Sequence, residues 1–324
     1  MVVHRTRLSS SELSGIWQSY HVETMAYILT KYFLHFAEDP DIRALLHQVK
    51  DYREAQLNEL KNLFNREQII LPTGYTEEDI NYSAPRLFYD PFALSFVYMM
   101  ARIDLINLAF ITGNIVRRDI LELFKTSLSH AFSTYEKATA LMLSKGLYDR
   151  PPNLPYPKKN EFVKGLKYLL EGRPINVLEL SEVSFNIERN YFSLVLCTAL
   201  AQTATDKEIK EFLLEGKKIS EKQIKFFNEV LTKDELLGST PIQMDVTAGN
   251  LSPFSDRLVM GLFTALNTID ITLIGHGMSL FMRSDLQLNS AKFFTEILQY
   301  TVKGFHIMTK RKWLEQPPQD IKRT

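Results

Sequence analysis

Apolar residues recur every three to four positions through most of the chain, and the phase of that repeat outlines long helices. The first opens at Ser9-x-x-Glu12, a capping box, and carries Leu13, Ile16, Trp17, Tyr20, Thr24, Tyr27 and Ile28 on one side up to about Phe36. Asp39-Pro40 then supplies a cap and a first-turn proline, so only a few residues separate it from its neighbour. The inner face of that second helix reads Ile42, Leu46, Val49, Arg53, Gln56, Leu60 and Leu63. Residues 67–90 break the periodicity and carry turn chemistry at Pro72, Gly74, Asn81 and Pro85. A third helix is predicted from Asp90-Pro91 to about Val116, and a fourth from near Asp119-x-x-Glu122 to Lys145. A helix of about 27 residues is roughly 40 Å long and an extended chain covers about 3.3 Å per residue, so the 67–90 loop can return along a whole bundle. Short, long, short connections select an all-α four-helix bundle with one crossover, the ferritin-like connectivity.

The same pattern then recurs. Met142–Pro152 (MLSKGLYDRPP) returns 166 positions later as Met308–Pro318 (MTKRKWLEQPP), each copy ending a helix with basic residues and paired prolines. Glu179-Leu180-Ser181 matches Glu12-Leu13-Ser14, and Thr205-Asp206 opens a helix whose Phe212, Ile219, Gln223, Phe226 and Val230 repeat the inner face. A second long loop covers Asp234 to Ser252, Ser252-Pro253 starts the next helix, Ile269-Asp270 repeats Ile103-Asp104, and Arg283-Ser-Asp285 repeats Arg117-Arg-Asp119. Two tandem bundles follow, at 1–150 and 175–324, joined over 151–174 by a proline-rich strap and a short helix from Phe162 to Glu171.

Composition narrows the function classes. Lys plus Arg (38) equals Asp plus Glu (38), which leaves no net field for nucleic acid. The single Cys197 precludes an internal disulfide and sits in an apolar run, as a buried inert thiol in a reducing, cytoplasmic setting would. The basic start MVVHRTRLSSSEL lacks the apolar core of a signal peptide. Phe92–Ile111 is long enough to cross a bilayer, but Arg102, Asp104 and Asn107 lie at its centre, and Leu258–Met282 carries Asn267, Asp270 and His276. The expectation is a core helix of a bundle and no transmembrane segment.

The stretches EDPDIRALL, TGYTEEDINYSAPRLFYDPF, LSKGLYDRPPNLPYPKK and, later, MRSDL and IMTKRKWLEQPP carry a resemblance. Over nearly its whole length the chain resembles the DUF3231 family of Bacillus-type bacteria. The resemblance implies two tandem ferritin-like bundles and suggests a sporulation or stress setting; it implies no particular activity.

A ferritin-like fold raises the question of a di-metal centre, built from single glutamates and two Glu-x-x-His pairs. None of His4, His21, His35, His47, His130, His276 or His306 has an acid three residues before it, so neither metal ligands nor a cofactor are expected, and no catalytic residue stands out. His130 with Glu136, and His35 with Glu38, lack counterparts in the second half and read as surface groups. The remaining polar candidates are Asp104 and Asp270, at matching positions in the most apolar helices, with Gln56 or Gln223 and Glu23 or Glu188 from neighbouring helices. They form either a polar site inside each bundle, or aspartates held by Arg, Tyr or backbone donors to fix helix register. The plainer second reading favours a non-enzymatic structural or binding module, whose partner could be another protein or a second copy. Its ligands would lie in the bundle interiors or in the groove crossed by the strap. The alternative is a metal-dependent oxidoreductase with an unusual ligand set around Asp104 or Asp270. A third reading, an apolar-ligand carrier, uses Phe92, Phe96, Met99 and Met100 as cavity lining.

Overall fold

The structure is a computed structural model and describes residues 6–170, 172–238 and 246–320. Among them eight α-helices form: α1 (Ser10–Phe36), α2 (Pro40–Arg66), α3 (Asp90–Thr112), α4 (Arg118–Ser144), α5 (Val177–Thr203), α6 (Lys207–Lys233), α7 (Asp256–Leu280) and α8 (Ser284–Lys310). Within each half the hairpins α1–α2 and α3–α4, or α5–α6 and α7–α8, make the main contacts. The first helix then packs beside the third and the second beside the fourth. That is the one-crossover bundle which the loop lengths implied.

Local chemistry sets most helix ends. Ser9 Oγ accepts from Glu12 N at 3.2 Å while Glu12 Oε2 accepts from Ser9 N at 2.8 Å, the expected capping box. The same carboxylate also reaches the entry to α4, where Glu12 Oε1 accepts from Val116 N (3.2 Å) and Arg117 N (2.7 Å). Glu179 repeats this in the second half, taking Met282 N at 3.0 Å and Arg283 N at 2.9 Å. One glutamate per half therefore caps two helices, and α4 and α8 need no side-chain cap of their own.

Four expected boundaries differ. Asp90 does not cap α3; its carboxylate accepts from Glu38 N at 2.9 Å in the α1–α2 turn and pairs with Arg86. Helix α3 stops at Thr112 rather than Val116, because Gly113-Asn114 turns the chain. Helix α7 begins at Asp256 with Ser255 as its cap, three residues after the predicted start, since Pro253 and Phe254 are drawn into loop pairing. The predicted helix at 162–171 is only a 3-10 turn at Leu166–Leu169 among the described residues. Phe162 and Leu166, 86% and 81% exposed, find no surface to pack against.

The halves are joined by more than the strap. Their crossover loops pair in antiparallel bridges, Ile80 with Phe254 and Phe88 with Val246. Val246 stands 166 positions after Ile80, and Phe254 the same distance after Phe88, so the two bridges exchange under the duplication. Reciprocal contacts of this kind mean that the halves are related by an approximate two-fold axis. Asn81 N donates to Pro253 O and Ser255 N to Asp79 O, both at 2.8 Å, and Arg257 pairs with Asp79 at 2.6 Å. Gly261 is required here, since a side chain at that point of α7 would collide with the Tyr75 hydroxyl of the opposite loop. The core crosses the interface, where Phe92 stacks on Phe192 with centroids 5.4 Å apart and Tyr32 meets Phe254 at 4.6 Å. Helices α3 and α7, long and apolar enough to cross a membrane, line this shared core.

Candidate functional site

The interior of the first bundle is cut by a polar layer. On α1 the buried apolar residues jump from Tyr20 to Met25, on α2 from Val49 to Leu57 and on α3 from Ala101 to Leu108, which divides the core into two clusters. Arg53, 5% exposed, fills the gap. Its Nη1 donates to Glu23 Oε2 at 3.0 Å and its Nη2 to Asp104 Oδ2 at 2.9 Å, so one guanidinium ties α1, α2 and α3. One turn on, Gln56 Nε2 donates to Ser127 Oγ at 2.6 Å and brings in α4.

The charges are unequal, two acids to one base. Burial raises the pKa of both Glu23 and Asp104 more than Arg53 lowers it. Burial alone would lower the Arg53 pKa, but Glu23 and then Asp104 outweigh it and raise it, so Arg53 is the fixed charge of the layer. Asp104 keeps 16% of its side-chain exposure, where it meets a surface groove.

The second bundle solves the same problem differently. Helices α1 and α5 correspond at an interval of 167, as do α2 and α6, so Asn190 replaces Glu23 and Ser220 replaces Arg53. The cation for Asp270 comes instead from Arg189 on α5, which also contacts Asn186 Oδ1. Asn190 Nδ2 donates to Gln223 Oε1 at 3.1 Å. Burial lowers the pKa of Arg189, opposed by the carboxylate of Glu182. Arg189 Nε and Asn267 Nδ2 are buried without a protein partner, and both residues line a cavity of about 50 Å³, room for water; Gln223 Nε2 is likewise buried without a partner.

Glu188 belongs elsewhere. Its counterpart is His21, not Glu23, and it points out of its own bundle to pair with Arg102 of the first half at 2.8 Å. The structure thus brings Glu23 to Asp104, places Gln56 beside them, joins Gln223 to Asn190 and Asp270 to Arg189, and separates Glu188 from all of these. The residues that organise both interiors, Arg53 and Arg189, were not among the sequence candidates. Arg53 on the inner face of α2 was the available signal. His130 and His35 are exposed, and Cys197 is fully buried, its thiol pKa pushed up to about 12 by burial. Among the described residues no three His, Cys, Asp or Glu side chains are grouped to hold a metal ion.

Two open grooves lie between the halves, of about 610 and 530 Å³. The first is walled by Ser95, Met99 and Arg102 of α3 and Phe185 and Glu188 of α5, and rimmed by Leu147 to Pro152. The second is walled by Gly261, Ala265 and Thr268 of α7 and Gln18 and His21 of α1, and rimmed by Trp313, Leu314, Glu315 and Pro317. Position for position the walls and rims correspond, although the five pairs of wall residues all differ in identity. The repeated LYDRPP and WLEQPP motifs are therefore the rims of a two-fold related pair of grooves. Glu315 holds its rim against the opposite half by accepting from Thr73 N at 2.9 Å and lying 3.6 Å from His21 Nε2.

A family model described as "Protein of unknown function (DUF3231)" matches residues 1–159 and again residues 164–324. Among solved structures, a "putative spore coat protein" from Bacillus halodurans aligns with a TM-score of 0.43 at 19% identity, over 48% of this chain and 100% of that one. No curated protein matches the sequence.

Proposed function

We propose that this protein, which belongs to the DUF3231 family over both halves of its chain, is a non-enzymatic binding module that holds small, largely apolar molecules in the grooves between its bundles. One observation carries the reading: both halves form a groove at matching positions with a paired-proline rim, although the wall side chains differ, while in the polar interior the cation itself sits on a different helix. A duplicated catalytic site would keep its acids and bases, whereas Glu23 and Arg53 became Asn190 and Ser220, and the cation moved from α2 to α5. Such drift suits ion pairs that only neutralise a buried aspartate. The groove volumes fall within the range of about 300–1,000 Å³ common for small-molecule sites.

Native mass spectrometry and elemental analysis of untagged protein test this, with Asp104→Asn and Asp270→Asn beside the wild type. The expected result is a co-purified organic molecule released on denaturation, with no stoichiometric metal. Stoichiometric iron, manganese or zinc that both variants lose would replace the proposal with the oxidoreductase reading. The Bacillus-type motifs and the single buried thiol further support a cytoplasmic protein of sporulating or stressed cells. Immunodetection across a sporulation time course tests that setting, and a level confined to vegetative cells would count against it.

A further inference from the structure

The two grooves differ in charge. The first contains its own cation: the Arg102 guanidinium lies 3.7 Å from the centroid of the Phe185 ring and donates to Glu188 at 2.8 Å and to the Tyr98 hydroxyl at 3.1 Å. In the second groove Thr268 stands at the position of Arg102, Gln18 at that of Phe185 and His21 at that of Glu188. The built-in cation is missing.

Negative charge and aromatic surface remain. Among the described lining residues Arg53 is the one Lys or Arg, and it is already bound to Glu23 and Asp104. Glu315, on the rim, has no Lys or Arg partner among the described residues; its contacts are Thr73 N and His21. Burial lowers the His21 pKa, more than Glu315 raises it, so the imidazole is neutral at pH 7 and does not balance that carboxylate. The nearby Arg257 is held by Asp79 and Gly74 O and lies 4.7 Å from the centroid of the Tyr75 ring, and Arg311 is held by Asp206 and Glu208 and lies 5.2 Å from that of Trp313, which leaves Trp17, among the described residues, as the tryptophan without a guanidinium over it. Both tryptophans of the protein, Trp17 and Trp313, line this groove, and Phe110, 63% exposed, stands at it.

We propose that the groove between α1 and α7 binds an organic ammonium ion with an apolar body, its charge beside Glu315 and Trp17 and its body along Met25, Met100 and Phe110. The ligand supplies from outside what Arg102 supplies in the duplicate groove: a cation over an aromatic ring and against a carboxylate. The proposal rests on the reading of the grooves as binding sites and adds the charge of the occupant.

Because both tryptophans line the groove, intrinsic fluorescence of the full chain reports on it directly. Decyltrimethylammonium, decanoate and decanol, each below its aggregation threshold, are titrated in turn. The expected result is a saturable change with decyltrimethylammonium, at about tenfold higher affinity than with either of the others. Glu315→Gln should weaken it several-fold, and Thr268→Arg, which restores the cation at an exposed position of α7, by about tenfold or more. Both variants should melt like the wild type. Equal affinity for the three amphiphiles would overturn the ammonium assignment while leaving an apolar binding groove. No saturable response to any of them would overturn the assignment and the binding reading together. Undiminished binding by both variants would refute the location.

Discussion

Removing Arg53 tests the account of the first bundle most directly. In Arg53→Met the aliphatic stem of the side chain is largely replaced, so packing loss is small, but Glu23 and Asp104 lose the donor that sits 3.0 and 2.9 Å from them. Breaking a buried pair by deleting one partner costs about 3–5 kcal/mol. Water reaching Asp104, whose side chain is 16% exposed, keeps the expected loss within that range although two acids are stranded. Asp104→Asn, which leaves one acid per base, should cost less, about 1–2 kcal/mol. The pH dependence has a definite sign. Both carboxyls already have raised folded-state pKa values, and without Arg53 these rise further. Groups of this kind stabilise below their unfolded pKa, and that contribution is lost as pH climbs through the folded value. The deficit of Arg53→Met should therefore be largest at pH 7 and shrink toward pH 5. Urea denaturation of the three proteins, followed by far-UV circular dichroism at both pH values, measures it. A variant within about 1 kcal/mol of wild type at pH 7, or a deficit unchanged at pH 5, would refute the reasoning.

Other expectations follow from the same contacts. Glu179→Ala removes hydrogen bonds to Arg173, Asn176, Met282 and Arg283 and should cost about 2–4 kcal/mol by urea denaturation. Burial raises the Glu179 pKa, but Arg173 and the backbone donors together hold it below its ordinary value. Its contribution should therefore be present above the ordinary glutamate pKa and fade as pH falls through the depressed folded value; acid titration of wild type against Glu179→Gln checks this sign. Phe192→Ala, in the core shared by the halves, should cost about 3–5 kcal/mol and lower one common calorimetric transition. Two separate transitions would mean that the halves fold independently. Cys197 should resist thiol reagents at pH 8 until the chain is unfolded, and rapid labelling of native protein would contradict its burial.

Much of the frame is legible in the sequence because helix signals are local. The capping box at Ser9, the Asp39-Pro40 cap, and the inner face of α2 from Ile42 to Leu63 depend on neighbours within a turn or two, and all reappear in the structure. The misplaced ends of α3 and α7 have the opposite origin. Asp90 and Pro253 resemble local helix starters, yet each is engaged by a segment distant in the chain, the α1–α2 turn for one and the opposite crossover loop for the other.

The polar candidates divide along the same line. That Asp104 and Asp270 occupy matching positions follows from counting residues, but which cation meets them does not. Arg53 reaches Asp104 from α2, whereas Arg189 reaches Asp270 from α5, because two bundles of one topology admit a guanidinium from either neighbour. Glu188 looked like an interior acid on α5, and the packing of the halves gives it Arg102 instead.

By itself, then, the sequence determined the helices, their caps, the long crossovers and the duplication, since each is written in periodicity or in spacing along one chain. Only the tertiary structure decided that the crossover loops pair across a two-fold relation, and that LYDRPP and WLEQPP are rims rather than plain helix stops. The physical reason is distance along the chain: no repeat of two or 3.6 residues encodes which faces of α1 and α7 will meet, and the grooves exist only once they do.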